Sequence, residues 1–479
     1  MEVELDRSQL EERFDVIALE VPARRTGELL KKLARDLLNM ARRKNVEPVP
    51  GNAAAKLILL ARTIADVSEV AESAWLESEI RAGTVKVTSF GVCLGYEHFT
   101  AEEVLRKLLP AGMEIPSSFE QAGHIAHMNL RDSQLPYKHL IGQVILDKNK
   151  SIKTVVNKTG KIETDAWQEF RTFPMEHLAG AKSTVVRLKE HQCFFEFEYR
   201  DVYWNSRLQE EHGRLIEALF MQPKNAASAK PVLADCTCGV GPFSLPIAKL
   251  VNGVVSHAND LNPASIHWLR KSVQLNKMEE HVLEIAQLPH FNESFEAPSM
   301  GSLLVIHEPG DARQFIRNLF QQRHPVTHAV FNLPAAGVEL LDCFRGLDYT
   351  AAGLPTPLVC CYTFSDAAVD SSGSDGCVAD LLMRLAAALG TAKESLRCAD
   401  VALKGQVSLP SPQINEMVQQ ALGEASQGCT PVAVRLVRNV APTRHMFCVC
   451  FRVPCKTPPG GDEGVTPAPP SEKRAKLSS

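Results

Sequence analysis

The rhythm of apolar and polar positions changes twice along this chain. Up to about residue 112 strand-like alternation and helical stripes are mixed: residues 14–21 read as a strand, while 26–43 and 53–66 carry apolar positions at helical spacing. From 113 to 204 periods of two prevail, at 143–146, 154–157, 184–188 and 193–199, which predicts a mostly β segment. From 205 to 455 a helix through Phe220 leads into short, continuous apolar runs separated by helical stripes, the pattern of a doubly wound parallel sheet. Residues 365–376, rich in Ser, Gly and Asp, read as an exposed loop, and 456–479 have no core-forming pattern and are expected to be disordered. The expected class is α/β: a small α/β module at 1–112, a mostly β middle domain at 113–204, a Rossmann-like domain at 205–455 and a tail.

Three of the buried runs end in candidate chemistry. Residues 231–234 lead into Asp235-Cys-Thr-Cys-Gly239-Val-Gly241-Pro-Phe, and 254–258 lead into Asn259-Asp260-Leu-Asn262-Pro, with Asp260 nineteen residues beyond Gly241. Glycines there let the backbone pass close to a ligand, and an acid at the end of the second strand accepts hydrogen bonds from ribose hydroxyls. Dehydrogenases and methyltransferases share that pattern, and it also arises by chance. The third run, 328–331, ends in Asn332-Leu-Pro334-Ala, a polar-apolar-Pro turn of the kind that holds a target amine. A nicotinamide enzyme must cradle a pyrophosphate and usually carries a third glycine where this chain has Ser244. S-adenosyl-L-methionine has no phosphate; it needs a ribose acceptor, a close backbone and a means of aligning the nucleophile with the methyl group. Asp235, Gly239, Gly241, Asp260, Asn262, Asn332 and Pro334 are the candidate cofactor residues. A plainer reading, in which Asn332 ends a strand and Pro334 opens a loop, stays open at this level.

Longer stretches narrow the choice. His127-Met-Asn-Leu-Arg131, Leu135-Pro-Tyr-Lys138, Thr154-Val-Val-Asn157-Lys158, Met175-Glu-His-Leu-Ala-Gly180 and Val202-Tyr-Trp-Asn-Ser-Arg-Leu208 closely resemble the archaeal and eukaryotic tRNA (guanine(37)-N1)-methyltransferases, over about residues 120–455. The resemblance implies a class I methyltransferase domain, S-adenosyl-L-methionine as cofactor, tRNA as partner, a monomer, and methylation at N1 of the guanine just 3′ of the anticodon. Guanine N1 carries a proton that must leave as the methyl arrives, while charge builds on O6, so the reaction needs a base and a cation. Carried over from the family pattern, the base is Glu211, the O6 partner is Arg171, and Asn332 completes the catalytic set. Candidate tRNA contacts are Arg131, Lys138, Asn157, Lys158, Arg207 and His212. Arg207 is also read as a salt-bridge partner that orients Glu211, and Glu211, early in a helix, suits the helix dipole whatever its function. Where the family shows Asn-x-Asp-Gly to hold adenine, this chain has Gln287-Leu-Pro-His-Phe-Asn292-Glu293-Ser294, so Asn292/Glu293 or a backbone amide must take that contact. Two rivals stay in view: a methyltransferase for another RNA guanine, and a tRNA-binding protein without catalysis. Whether the product enters wybutosine-type modification is not written in the sequence.

Composition adjusts this picture only slightly. A length of 479 residues, 45% hydrophobic, suffices for two or three cores. The net charge of −4 gives no global sign of a polyanion, but residues 131–189 hold eleven Lys/Arg against six Asp/Glu, a local footprint for phosphate. Thirteen cysteines include no Cys-x-x-Cys pair, so no metal is expected and reduced thiols fit better. Apolar runs of membrane-spanning length are lacking, and an acidic first thirty residues argue against a secretory signal. Cytoplasm and nucleus are the expected compartments, with a mitochondrial matrix pool left open.

Overall fold

The computed structural model describes residues 5–40, 42–116, 118–159, 170, 172, 174–220, 231–284, 302–367, 375–402, 430–441 and 444–457. They fall into two compact units, one of residues 1–160 with 174–183 and one of 161–173 with 184–479. The stretch 113–204 is thus divided between the two.

The first unit opens with a four-stranded antiparallel sheet in the order β2-β3-β1-β4, from β1 (Glu12–Pro22), β2 (Val46–Val49), β3 (Asn52–Leu59) and β4 (Lys86–Leu94). Helices α1 (Thr26–Lys32), α2 (Ser73–Arg81) and α3 (Ala101–Leu108) accompany it. A second sheet joins β5 (Glu120–Ala122), β6 (Ile125–Met128), β7 (Thr154–Lys158) and β8 (Met175–Gly180), with α4 (Lys138–Lys148) between β6 and β7. Residues of both sheets share one apolar core, which runs from Leu10 through Leu105 to Ala179.

Three sequence expectations fail here. Residues 53–66 are not helical: β3 takes them up to Leu59, between β1 and β2, and at its buried end Leu57 and Leu59 enter that shared core while Ile58 and Leu60 enter a second one, so burial on both faces there overrides the helix preference of the alanines before it. Residues 143–146 are not a strand. Leu140, Ile141, Val144 and Ile145 are buried together at helical spacing in α4, which a four-residue window is too short to reveal. The helix expected over 26–43 stops at Lys32.

The second unit begins with a hairpin, β9 (Val185–Glu190) and β10 (Cys193–Glu198), followed by α5 (Gln209–Phe220). Then come β11 (Val232–Asp235), α6 (Ser244–Leu250), β12 (Val255–Ala258), α7 (Pro263–Leu275), β13 (Val282–Glu284), β14 (Leu303–Ile306), α8 (Ala312–Gln321) and β15 (His328–Phe331). The chain closes with α9 (Tyr349–Ala352), β16 (Leu358–Ser365), α10 (Asp375–Leu389), β17 (Leu396–Ala402), β18 (Thr430–Ala441) and β19 (Arg444–Arg452). Nine strands form one sheet, β13-β14-β12-β11-β15-β16-β19-β18-β17, parallel from β13 to β16, with β19 antiparallel to both neighbours. Alternate residues serve opposite faces: Val232, Ala234, Ala329 and Phe331 pack with α8 and α10, while Leu233, Val330 and Cys360 pack with α5 and α6. Residues 368–374 of the expected loop lie outside the described residues; Ser365 itself is buried and its hydroxyl donates to Asp380 at 2.8 Å. Among the described residues no helix is long and apolar enough to cross a membrane, and no cluster of His, Cys, Asp or Glu is arranged to hold a metal ion.

This unit buries three neighbouring imidazoles. His257 Nδ1 and His307 Nε2 are 3.0 Å apart, and the rings of His257 and His324 meet edge-on at 4.8 Å. Burial holds His307 and His324 down to about 4, and holds His257 well below its ordinary value with both neighbours adding to the effect. The unfolded chain therefore binds protons near pH 6.5 that the folded chain refuses, so stability is complete above that pH and is lost as the pH falls towards 4. One such shift is worth about 3 kcal/mol. Asp235, which burial pushes up to about 7, and Asp260, which burial also raises, act in the opposite sense and offset part of this loss. The melting temperature is expected to drop by roughly 5–10 °C between pH 7 and pH 5; a flat profile in calorimetry would refute this account.

Candidate active site

Strand β11 lies between β12 and β15, so the chain leaves it to one side and returns on the other. Ligands of open α/β sheets bind where strand order reverses in this way, beyond the carboxyl ends. The turn after β11 has Gly239 at φ +55° and Gly241 at φ +88°, a region that favours glycine. A Cβ on Gly241 would also stand 2.5 Å from Leu269 Cδ1. The Gly239 N–H donates to Asp260 Oδ2 at 2.8 Å, and the Asn262 N–H donates to Asp260 Oδ1 at 2.9 Å. Burial pushes the Asp260 carboxyl above its usual range, and these two amide bonds pull it back. The Ser265 hydroxyl also hydrogen-bonds to this carboxylate, whose roughly four lone-pair sites still leave acceptor capacity for a vicinal diol.

Asn262 caps α7, its Oδ1 accepting from the Ala264 N–H at 3.0 Å and its Nδ2 donating to the Asp201 carbonyl at 2.6 Å. Across the crevice, the Asn332 N–H donates to Thr237 Oγ1 at 2.8 Å and so ties the turn after β15 to the turn after β11. Asn332 Oδ1 is buried and has no partner. An unmet buried acceptor costs about 1–3 kcal/mol, and a ligand N–H would relieve it. Thr237, Gly239, Asp260, Asn262 and Asn332 line a cavity of about 300 Å³, together with Phe170, Tyr203, Trp204, Leu208, His212 and Leu333. Trp204 is a core residue as well, with Phe195 and Phe197 at ring separations of 5.6 and 5.0 Å.

Three of the candidate cofactor residues do not line the cavity: Gly241, which shapes the turn, and Asp235 and Pro334, which stand behind the wall. Asp235 accepts from the Ser244 hydroxyl at 2.5 Å and so ties the end of β11 to the start of α6. Pro334 is buried, and its carbonyl accepts from the Phe364 N–H at 2.9 Å.

Glu211 also lies off the wall, in the first turn of α5. Its carboxylate accepts from Arg214 through Nε at 2.9 Å and Nη2 at 2.6 Å, from the Tyr362 hydroxyl at 2.8 Å, and from Arg435. Burial alone would raise its pKa, but the Arg214 hydrogen bonds and the Arg435 and Arg214 charges outweigh burial and hold the group ionised below the ordinary carboxylate range. Its arginine partners are Arg214 and Arg435; the partnership expected with Arg207 is not formed, and Arg207 is exposed near the start of α5. Arg214, one helical turn along α5, was recoverable from spacing; Arg435, on β18, was not. Arg171 and residues 287–294 lie outside the described residues.

The candidate tRNA contacts divide between the units. In the first, Arg131 is exposed and paired with Glu114, and Lys138 pairs with Glu176. Asn157 is buried and its Oδ1 accepts from the Leu130 N–H at 3.0 Å, which commits that oxygen to the fold; Lys158, beside it at the end of β7, is half-buried. In the second unit His212 is buried and faces the cavity. Its partner Glu190, and Thr237, were not singled out from the sequence, because each acquires its role from a contact made far along the chain.

Comparison with known proteins places this geometry. The TYW2 N-terminal domain matches residues 101–184, and the TRM5/TYW2 methyltransferase domain matches 184–328. A tRNA (guanine(37)-N(1))-methyltransferase from Phytophthora infestans is 37% identical over 458 residues, 94% of this chain and 92% of the relative. Its counterpart from Homo sapiens is 33% identical over 460 residues, 94% of this chain and 76% of the relative. Among solved structures, wild-type Trm5b from Pyrococcus abyssi superposes with a TM-score of 0.51 at 18% identity, covering 91% of this chain and 99% of that one. The complex of aTrm5 with tRNALeu also gives 0.51, at 16% identity, covering 91% and 100%. The chain belongs to the tRNA (guanine(37)-N1)-methyltransferase family, built on the class I S-adenosyl-L-methionine-dependent methyltransferase fold.

Proposed function

We propose that this chain methylates N1 of guanosine 37 in tRNA, a first step toward wybutosine-type bases in tRNAs that carry them, and that it acts in the cytoplasm and nucleus. The observation that carries the site reading is the unpartnered Asn332 Oδ1 on the same cavity wall as the Asp260–Gly239 pair. The cofactor supplies a methyl group on a sulfonium, an electrophile that needs no metal. Asp260 anchors its ribose, the turn at Gly239 and Gly241 admits its backbone-facing end, and Asn332 accepts from an N–H of the guanine edge. Arg171, which follows Phe170 in the chain, is assigned from the family pattern to steady the charge that develops on O6. In this reading Glu211 takes the N1 proton as the new N–C bond forms and the S–CH₃ bond breaks.

Its geometry favours a second role for Glu211 as well. With both oxygens engaged by Arg214, Arg435 and Tyr362, the carboxylate also clamps α5 to β16 and β18. Relatives that act on guanine 37 by name, matching almost the whole chain, support the substrate. Purified protein given labelled S-adenosyl-L-methionine is expected to label a tRNA transcript with guanosine at position 37 and to leave one with adenosine there unlabelled. Equal labelling of both would point to another RNA guanine; labelling of neither, with tRNA still bound, would favour a binding protein.

A further inference from the structure

Strands β11 and β15 pair in parallel as far as Asp235 and Val330, and the Cys236 N–H donates to the Val330 carbonyl at 2.9 Å. In a parallel ladder the next bond would run from the Asn332 N–H to the Cys236 carbonyl. That carbonyl accepts instead from Asn259 Nδ2 at 3.1 Å, on the β12 side, and the same nitrogen donates to the Gly310 carbonyl at 3.0 Å. The Asn332 N–H goes to Thr237 Oγ1 at 2.8 Å. A side-chain oxygen thus takes the place of a ladder carbonyl where the two strands part and the crevice opens, and the amide stays satisfied. Backbone bonds fix the far end of the same turn: the Phe364 N–H donates to the Pro334 carbonyl at 2.9 Å, and the Ala336 N–H donates to the Leu333 carbonyl at 3.0 Å. Thr237 holds the near end, at the residue whose Oδ1 is buried in the cavity wall without a partner. Being β-branched, Thr237 has few rotamers open to it, so its hydroxyl is a stiff support.

We propose that Thr237 is a positioning residue for methyl transfer: by holding the Asn332 amide in place of the ladder bond, it aims Asn332 Oδ1 at the reacting edge of the substrate base. This rests on the reading of Asn332 above. A nucleophile must lie in line with the methyl group, and a misplacement of about 1 Å costs about a hundredfold in rate. Thr237→Val nearly keeps the shape and removes the acceptor; Thr237→Ser keeps the oxygen. Single-turnover rates per folded molecule, at saturating cofactor and tRNA, are expected to fall about ten- to a hundredfold for Thr237→Val and to stay within about threefold for Thr237→Ser. S-adenosylhomocysteine affinity is expected to stay within about threefold for both. In an Asn332→Ala background Thr237→Val is expected to cost less than about threefold more, because a residue that acts through Asn332 has nothing left to aim.

Equal losses in both backgrounds, a parallel loss of S-adenosylhomocysteine affinity, or a serine variant as slow as the valine one would overturn the proposal. An Asn332→Ala chain with the wild-type rate would sink the reading of Asn332 and this proposal with it, an outcome distinct from a failure of Thr237 alone. A wild-type chain that methylates no tRNA would sink the substrate reading, and residue-resolved hydrogen exchange then decides this one. The Asn332 amide is expected to exchange about tenfold faster in Thr237→Val and close to the wild-type rate in Thr237→Ser. Equal exchange in all three chains overturns the proposal.

Discussion

Glu211→Gln is expected to lower turnover by two to four orders of magnitude while leaving cofactor affinity unchanged, because the side chain is held off the cavity wall but is assigned the proton from guanine N1. The same exchange removes the one carboxylate that Arg214 and Arg435 share. Two part-buried guanidiniums then share a neutral amide, and losing the charge between them costs up to about 3 kcal/mol. The variant should therefore also melt earlier. The wild-type carboxylate, ionised below its ordinary range, contributes stability that is present above about pH 4.5 and is lost as the pH falls through its folded value. Single-turnover rates per folded molecule separate the two roles. A rate within about tenfold of wild type, together with a lowered melting temperature, would assign Glu211 to the clamp alone.

Asp260→Ala is expected to weaken S-adenosylhomocysteine and methylthioadenosine alike, by about a hundredfold, since two hydrogen bonds to a charged acceptor are worth about 3 kcal/mol or more. The carboxylate accepts from the Gly239 and Asn262 amides and so sets the shape of the turn as well as the ribose contact. Asp260→Asn nearly keeps the volume but puts an N–H donor where one of those amides also donates, so its affinity should fall almost as far. Titration calorimetry that finds either variant within about tenfold of wild type for methylthioadenosine would remove Asp260 from the ribose.

The strands and the glycine turn that frame the cavity were legible in the chain because their signals are local. An apolar run followed by glycine at positive φ, and a second run ending in an acid, are properties of five to ten consecutive residues, and β11, β12 and β15 lie where those runs are. Local signals also misled: residues 53–59 have helix-favouring alanines and yet lie in β3, since two cores claim alternate side chains at its end. Windows of four residues cannot separate a strand from one face of a helix, and α4 was misread for that reason.

What the sequence determined by itself was the kind of cofactor pocket, the order of its strands along the chain and, through its long matches, the family. Tertiary structure alone decided the partners: Arg435 with Glu211 across 224 residues, Thr237 with Asn332 across 95, Glu190 with His212 across 22. The physical reason is that hydrogen bonds and ion pairs act over about 3 Å. Which groups come that close is set by how the sheet and helices pack, and separation along the chain carries almost none of that information.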